Sequence, residues 1–212
     1  MAVNISVLNA TGKLERNMAF LDSQIRKSLK VIEYHIEIPD LDITVSPFSK
    51  EKVSPFGIGG FALNAHRVEI FLDSTRSDLE SVIERELTAV LGHEINHAIR
   101  KGHGYKNITL LDDLVMEGLA CHFETVINGG EASSMFHEMD EIDWVILYDS
   151  MKPLLASSSF PFNELFLGEN PNKYPRYAGY WVGYNLVTSY VSDTGTSATE
   201  LVKLNPKEFI LS

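Results

Sequence analysis

The stretch LGHEINHAIRKGHG, residues 91–104, contains three histidines and one glutamate whose spacing could support chemistry. His93 and His97 are four residues apart, Glu94 lies between them, and His103 follows six residues after His97. Residues four apart in a helix share one face, with Cβ atoms about 5–6 Å apart. His93 and His97 can therefore direct two imidazoles at one point, where they could bind a metal ion.

The HExxH spacing is the one that a zinc-dependent hydrolase needs. A catalytic zinc ion takes three protein ligands and keeps a fourth position for water. Glu94 lies beside the two histidines without being a ligand, and it is placed to take a proton from that water. The alternative is a chance HExxH on a solvated helix face that binds no metal, and five residues alone do not decide between the two.

Two residues could supply the third protein ligand. His103 completes the length of the pattern HExxHxxGxxH, but Arg100 stands where that pattern needs a glycine to reverse the chain. Glu117, twenty residues after His97, lies in the helical stretch LLDDLVMEGLACHFE and can face the first helix across an antiparallel helix pair. We favour Glu117 and expect His103 to be an exposed loop residue.

The spacing of apolar residues predicts the elements that come before this motif. Short strands are predicted at 3–10 and 41–47, and an amphipathic helix is predicted at 13–32. A pair of strands is predicted over 54–73, with a turn near 64–66 and glycines that allow close approach of the backbone.

The HEINH motif is predicted to lie deep inside a long helix. Ser77 and Glu80 fit a capping box at its start, and Gly102 follows Arg100 as a stop signal. A loop at 160–179, rich in Pro, Gly and Asn, is long enough to be a lid or a specificity loop. Further helices are predicted at 110–127, 136–154 and 177–192, with a short one from Ser197.

Together these elements predict a single α+β domain over residues 1–212. It would have a sheet-containing lobe at 1–75 and a mostly helical lobe at 76–212 that carries the metal site. The composition, 44% hydrophobic and 22% charged, is that of a globular protein.

Charge and cysteine content narrow the function classes. A formal net charge of −11 argues against nucleic acid or an anionic membrane as the main partner. The single cysteine, Cys121, excludes a disulfide within the chain. The sequence has no long apolar run, and its first residues do not follow the pattern of a signal peptide. We therefore expect a cytoplasmic protein.

Three segments, GHEINHAIR, EGLACHFE and YPRYAGYWVGYNLV, together resemble the motifs of a family of predicted zinc-dependent proteases, the YjaZ-like bacterial proteins. That family pairs an HExxH helix ending in arginine with an EGLAxxF helix and a later GYxxGY helix. The resemblance extends over residues 55–212 and implies a zincin-like fold of the gluzincin type. It also implies His93, His97 and Glu117 as zinc ligands and Glu94 as catalytic acid and base. Cys121 stands where the family often has an acidic residue. If the carboxylate of that acidic residue orients a zinc-bound histidine in the family, another residue must do so here.

Zinc-bound histidines usually donate their second N–H to a carboxylate or carbonyl, and Asp113 is our first choice for that role. Asp113 lies one turn before Glu117 on the same helix face. The presence of an aspartate there is explained equally well by the favourable interaction of a negative charge with a helix N-terminus. A peptide hydrolase also needs a donor for the developing oxyanion. From the stripe of tyrosines on the late helix we choose Tyr180, against the alternative that these rings only pack.

Gly59 and Gly60 are candidate substrate-binding residues, because an extended peptide can pair with the edge of a strand that it approaches closely. A plain hairpin would explain the two glycines almost as well. Arg176 and Tyr177, at the start of the late helix, are further candidates for substrate binding.

The sequence thus predicts a zinc-dependent peptide-bond hydrolase, an endo- or oligopeptidase with Zn²⁺ as cofactor and a peptide or unfolded protein as substrate. Two other classes stay open. One is a zinc-binding, non-proteolytic module with a chaperone-like or regulatory role. The other is a structural protein without a metal.

Overall fold

The computed structural model describes residues 2–48, 56–139 and 141–211. The chain divides into two compact units, Met1–Gly104 and Tyr105–Ser212. Strands and helices are both present, which confirms the predicted α+β class. The predicted lobe boundary after residue 75 stays a prediction. Every helix in the described ranges is too short or too polar to span a lipid bilayer.

A four-stranded mixed sheet forms one layer of the first unit. Along the sheet the strands lie in the order β1-β2-β4-β3, so β3 is an edge strand. The pairs β1–β2 and β2–β4 are parallel, whereas β3 and β4 form an antiparallel hairpin. The predicted strands and hairpin are confirmed, and the first residues of the predicted hairpin, 54 and 55, lie outside the described residues. The bounds are β1 (Val3–Val7), β2 (Leu41–Phe48), β3 (Ile58–Asn64) and β4 (Arg67–Asp73).

Two long helices, α1 (Met18–His35) and α2 (Leu79–Gly102), complete the first unit. The predicted amphipathic helix is α1, which starts later than predicted because Glu15–Asn17 form a 3-10 turn. α2 packs against α1 and against the hairpin. The hydroxyl oxygens of Ser28 and Thr88 lie 2.8 Å apart between the two helices.

Both predicted ends of the HEINH helix need correction. Ser77 does not cap it, since α2 begins at Leu79 with Asp78 as the preceding residue. The Asp78 carboxylate accepts two hydrogen bonds of 2.8 Å from the Arg76 guanidinium, which holds the pKa of this carboxyl below its usual range. At the other end the helix continues through Gly102. The turn falls instead at Gly104, whose φ of 83° is one that glycine adopts without steric penalty.

The second unit is mainly helical. The predicted helix at 110–127 is confirmed, and the Thr109 and Asp112 side chains cap its start reciprocally. The helix predicted at 136–154 is shorter, with 3-10 turns at Ser134–Phe136 and Lys152–Leu154 on either side. The helices are α3 (Leu110–Ile127), α4 (Trp144–Met151), α5 (Ala178–Thr194) and α6 (Ala198–Leu201), followed by a 3-10 turn at Pro206–Phe209.

The predicted lid segment, 160–179, contributes to the core of this unit. It contains a π-helical turn at Asn163–Leu167. Leu165, Phe166 and Tyr174 from this segment are buried among α3, α4 and α5 side chains. Its role as a lid or specificity loop stays a prediction.

Candidate metal centre

His93 and His97 lie on one face of α2, as helical spacing requires. Their ring centroids are 4.5 Å apart and the rings meet edge to face, with an angle of 89° between their planes. His97 is buried, whereas His93 is half-buried. Two imidazoles at this distance can offer nitrogen atoms to one ion, and the His93 ring is partly accessible to solvent.

Glu94, the residue between them, is seated against the hairpin. A Cβ atom added at Gly60 would lie 2.5 Å from the Glu94 Cγ and 2.8 Å from its Oε1. Real Cβ atoms essentially never approach a heavy atom so closely. A side chain at residue 60 would therefore force this carboxylate to move from its position, in which Glu94 is 7% exposed.

The hairpin presents alternate residues of β3 to α2. Ile58 and Ala62 are each 1% exposed, and Gly60 between them faces Glu94. The intervening residue Phe61 points to the opposite face and is half exposed. Because β3 is an edge strand, its far side is the side at which a further strand could pair. Gly59 and Gly60 thus lie on an edge beside the catalytic candidate Glu94.

In the second unit, Glu117 is half-buried on α3, and the next residue is held by a tight helix crossing. A Cβ at Gly118 would lie 2.2 Å from the Gly183 carbonyl oxygen, and one at Gly183 would lie 2.0 Å from the Leu114 carbonyl oxygen. Glycine at both positions lets the backbones of α3 and α5 touch. The contact between the two helices at Gly118 therefore holds the backbone of α3 in place directly after Glu117. Asp113, one turn earlier on α3, is buried.

The start of α5 carries the other predicted side chains. Tyr177 has a φ of 69°, and among the described residues it is the one non-glycine residue in the left-handed region. Such a conformation costs on the order of 1–3 kcal/mol and often marks a functional site. The Arg176 guanidinium lies 4.9 Å from the centre of the Tyr177 ring. Tyr180 is half-buried and meets the rings of Phe166 and Tyr177 edge to face, at 5.4 and 6.0 Å.

The side chains that could take part in holding a metal ion are His93 and His97 in the first unit, and Glu117, Cys121 and Glu124 in the second. Among the described residues His103 is not one of them, and it is exposed directly after α2, as predicted. Cys121 is fully buried in an apolar cluster with Phe136 and Met139, as a small structural residue would be.

One further histidine, His122, is buried in part on α3. Burial lowers the pKa of its imidazole below the ordinary value of 6.5, because a charged ring would lose hydration there. Its Nδ1 lies 3.5 Å from the Thr188 hydroxyl on α5. His122 is therefore neutral at pH 7 and packs between the two helices.

Two contributors to these environments were missed from the sequence. Gly118 directly follows Glu117, but its importance for helix packing is recognisable only once Gly183 on α5 is known to contact it. Lys101 lies one residue after the buried Arg100 and donates a hydrogen bond to the Ala62 carbonyl on β3. A basic residue in the last turn of a helix is common, so its type and position carry no specific signal.

Comparison with known proteins identifies the family. The chain matches, over residues 21–211, the family described as "Predicted Zn-dependent protease (DUF2268)", and it belongs to that family. It is similar to "Uncharacterized protein YjaZ" of Bacillus subtilis (strain 168), with 25% identity over 139 residues. That alignment covers 58% of this chain and 49% of the relative, so the chain spans about half the length of the curated protein it matches. No solved structure matches.

Proposed function

We propose that this protein is a zinc-dependent peptide-bond hydrolase, an endo- or oligopeptidase of the gluzincin type with a zincin-like fold. The observation that carries the proposal is the arrangement on α2. The ring centroids of His93 and His97 are 4.5 Å apart, and Glu94, between them in sequence, lies against Gly60. A solvated helix face would need no glycine opposite its glutamate. Membership of a family described as predicted zinc-dependent proteases supports the same activity.

His93, His97 and Glu117 are the ligands we propose. Two imidazole nitrogens and one carboxylate oxygen are a donor set that catalytic zinc accepts, with a fourth position left for water. Glu117 and His93 are both half-buried, which suits an ion that substrate must reach. Cys121 is less suitable, since it has no exposed surface and lies in an apolar cluster with Phe136 and Met139. Asp113 is the residue we propose to orient one of the histidines.

Zinc held by these ligands would polarise the scissile carbonyl and lower the pKa of a water molecule. Glu94 accepts the proton of the attacking water and then delivers it to the leaving amine. The carboxylate can do both because Gly60 leaves it space while the surrounding burial restricts its motion. Tyr180 donates its hydroxyl proton in a hydrogen bond to the developing oxyanion.

The substrate we propose is a peptide or an unfolded protein segment. An extended chain can add to the edge of β3 through backbone hydrogen bonds, with Gly59 and Gly60 allowing close approach. Arg176 and Tyr177 are further proposed substrate contacts. Nucleic acid and anionic membranes are poor partners for a chain with a net charge of −11. The cytoplasm is the compartment we propose, since a chain with one cysteine forms no internal disulfide.

The test is hydrolysis of an unfolded protein and of quenched fluorescent peptides by the zinc-loaded protein. We expect cleavage that a chelator removes and added zinc restores. The Glu94→Gln variant should bind the same amount of zinc and cleave at least about 1,000-fold more slowly, as general-base catalysis and its positioning require. Zinc binding with no cleavage in the wild type would favour a chaperone-like or regulatory module instead.

A further inference from the structure

Lys101 reaches from the last turn of α2 to the edge strand of the sheet. Its ammonium donates a hydrogen bond to the carbonyl oxygen of Ala62 on β3. The same ammonium lies 5.3 Å from the centre of the Phe61 ring, which is half exposed. The side chain therefore crosses the edge of β3, and it contacts residues that face both sides of the sheet.

The register of the hairpin shows which backbone groups of β3 point away from β4. The Asp73 amide donates to the Gly57 carbonyl, and Gly59 and Phe61 follow at the same repeat of two, opposite Phe71 and Glu69. In an antiparallel pair the residues between such positions turn their N–H and C=O groups outward. Ile58, Gly60 and Ala62 are therefore the residues of β3 whose peptide groups face the outer edge.

Gly60 and Ala62 differ in what their peptide groups can offer to a further strand. The peptide groups of Gly60, beside Glu94, belong to the edge at which a further strand could pair, since β3 lies last in the sheet order of the described strands. The carbonyl of Ala62 is already bonded to Lys101. A peptide that pairs with Gly60 cannot continue the same ladder at Ala62 without displacing an ammonium group.

We propose that Lys101 is a specificity-determining residue that ends the peptide-docking edge of β3 after Gly60 and so limits the length of bound chain that the enzyme can use. This inference rests on the proposed function, because it concerns how substrate lies beside Glu94. Lysine on a sheet edge also hinders pairing between copies of a protein. Protection of that kind predicts no dependence on peptide length, whereas our proposal does.

The experiment measures binding of dye-labelled, uncharged, extended peptides of increasing length by fluorescence anisotropy, with the metal-free protein. For the wild type, we expect affinity to stop improving once the peptide reaches the Lys101 side chain. For Lys101→Met, which keeps the apolar stem over Phe61, we expect each longer peptide to gain a further two- to tenfold, the value of one hydrogen bond. Lys101→Arg retains donors and should behave as the wild type does. Lys30→Met, an exposed lysine on α1, controls for the lost charge.

Cleavage of the same peptides by the zinc-loaded wild type is measured separately, so that the two ideas can fail separately. The same length dependence in the wild type and Lys101→Met, or no binding to either, overturns the role of Lys101. Cleavage accompanied by that result would leave the proposed hydrolase standing. A clear Lys101→Met effect on binding without any cleavage would support the docking edge and overturn the hydrolase.

Discussion

Gly60 on β3 and Glu94 on α2 lie so close that a single methyl group at residue 60 would stand 2.5 Å from the Glu94 Cγ. The position of the proposed catalytic base on α2 therefore depends on the absence of a side chain at residue 60 of β3. The contact lies within one compact unit and involves the flexible end of the glutamate, so a Cβ at this position would displace the carboxylate before it disturbed the sheet.

Gly60→Ala should reduce turnover while the protein stays folded. A displacement of the base on the order of 1 Å lowers a rate by about 100-fold. The measurements are kcat with a quenched peptide and the far-ultraviolet circular dichroism spectrum. Gly102→Ala is the matched control, since its added Cβ would meet the Ala65 Cβ at an ordinary 3.6 Å. Equal activity of Gly60→Ala and the wild type would contradict the proposal that Gly60 positions the Glu94 carboxylate.

Gly183→Ala should destabilise the second unit, because the new Cβ would lie 2.0 Å from the Leu114 carbonyl oxygen. Backbone at this contact cannot rotate away, so the helices must separate. We expect a loss of about 1–3 kcal/mol or more in the free energy of unfolding, as in other overpacked interiors. Urea unfolding measures it, with the exposed α5 substitution Ser192→Ala as control. A loss no larger than that of Ser192→Ala would show that α5 tolerates displacement.

Tyr180→Phe removes only the hydroxyl that we propose to stabilise the oxyanion. Since the ring would still pack against Phe166 and Tyr177, the fold should be unchanged. We expect kcat to fall by about 100-fold with KM nearly constant, the pattern for a group that acts in the transition state. Tyr184→Phe, one turn later on α5, serves as the comparison. If both substitutions leave kcat unchanged, another donor serves the oxyanion.

Burial lowers the pKa of His122 in the folded protein below the unfolded value of 6.5. The unfolded chain therefore takes up a proton first as pH falls, so the stabilisation present above pH 6.5 is lost below it. The free energy of unfolding should decrease from about pH 7.5 to about pH 5.5, and His122→Gln should show a smaller decrease. His137→Gln, at an exposed histidine, should keep the wild-type slope. An identical slope in all three proteins would contradict this assignment.

Much of the fold follows from local patterns in the sequence. The 3.6-residue repeat of apolar residues predicts α1, α2, α3 and α5, and alternation with turn residues predicts the hairpin. His93 and His97 share a helix face for the same local reason, so their approach at 4.5 Å needs no knowledge of tertiary structure.

Contacts between distant segments could not be derived in this way. The start of α2 was missed for a local reason, since the Asp78 carboxylate pairs with Arg76, two residues away, and α2 begins at Leu79. Gly60 looked suited to close approach in the sequence, and the structure shows a second close approach at Gly183. What approaches them, the Glu94 carboxylate and the Leu114 carbonyl, depends on which strand meets which helix. Nothing in the sequence distinguishes Lys101, and only the structure shows that its ammonium contacts the Ala62 carbonyl.

The most direct test of the proposed hydrolase is the zinc content of the purified protein, measured by native and elemental mass spectrometry for wild type, Glu117→Ala and His103→Ala. We predict about one zinc ion per chain in the wild type and in His103→Ala, and a large loss in Glu117→Ala, because a catalytic site depends on its third protein ligand. Zinc that is lost with His103→Ala but kept in Glu117→Ala would contradict the proposed ligand set. No zinc in any of the three proteins after supplementation would contradict the hydrolase itself.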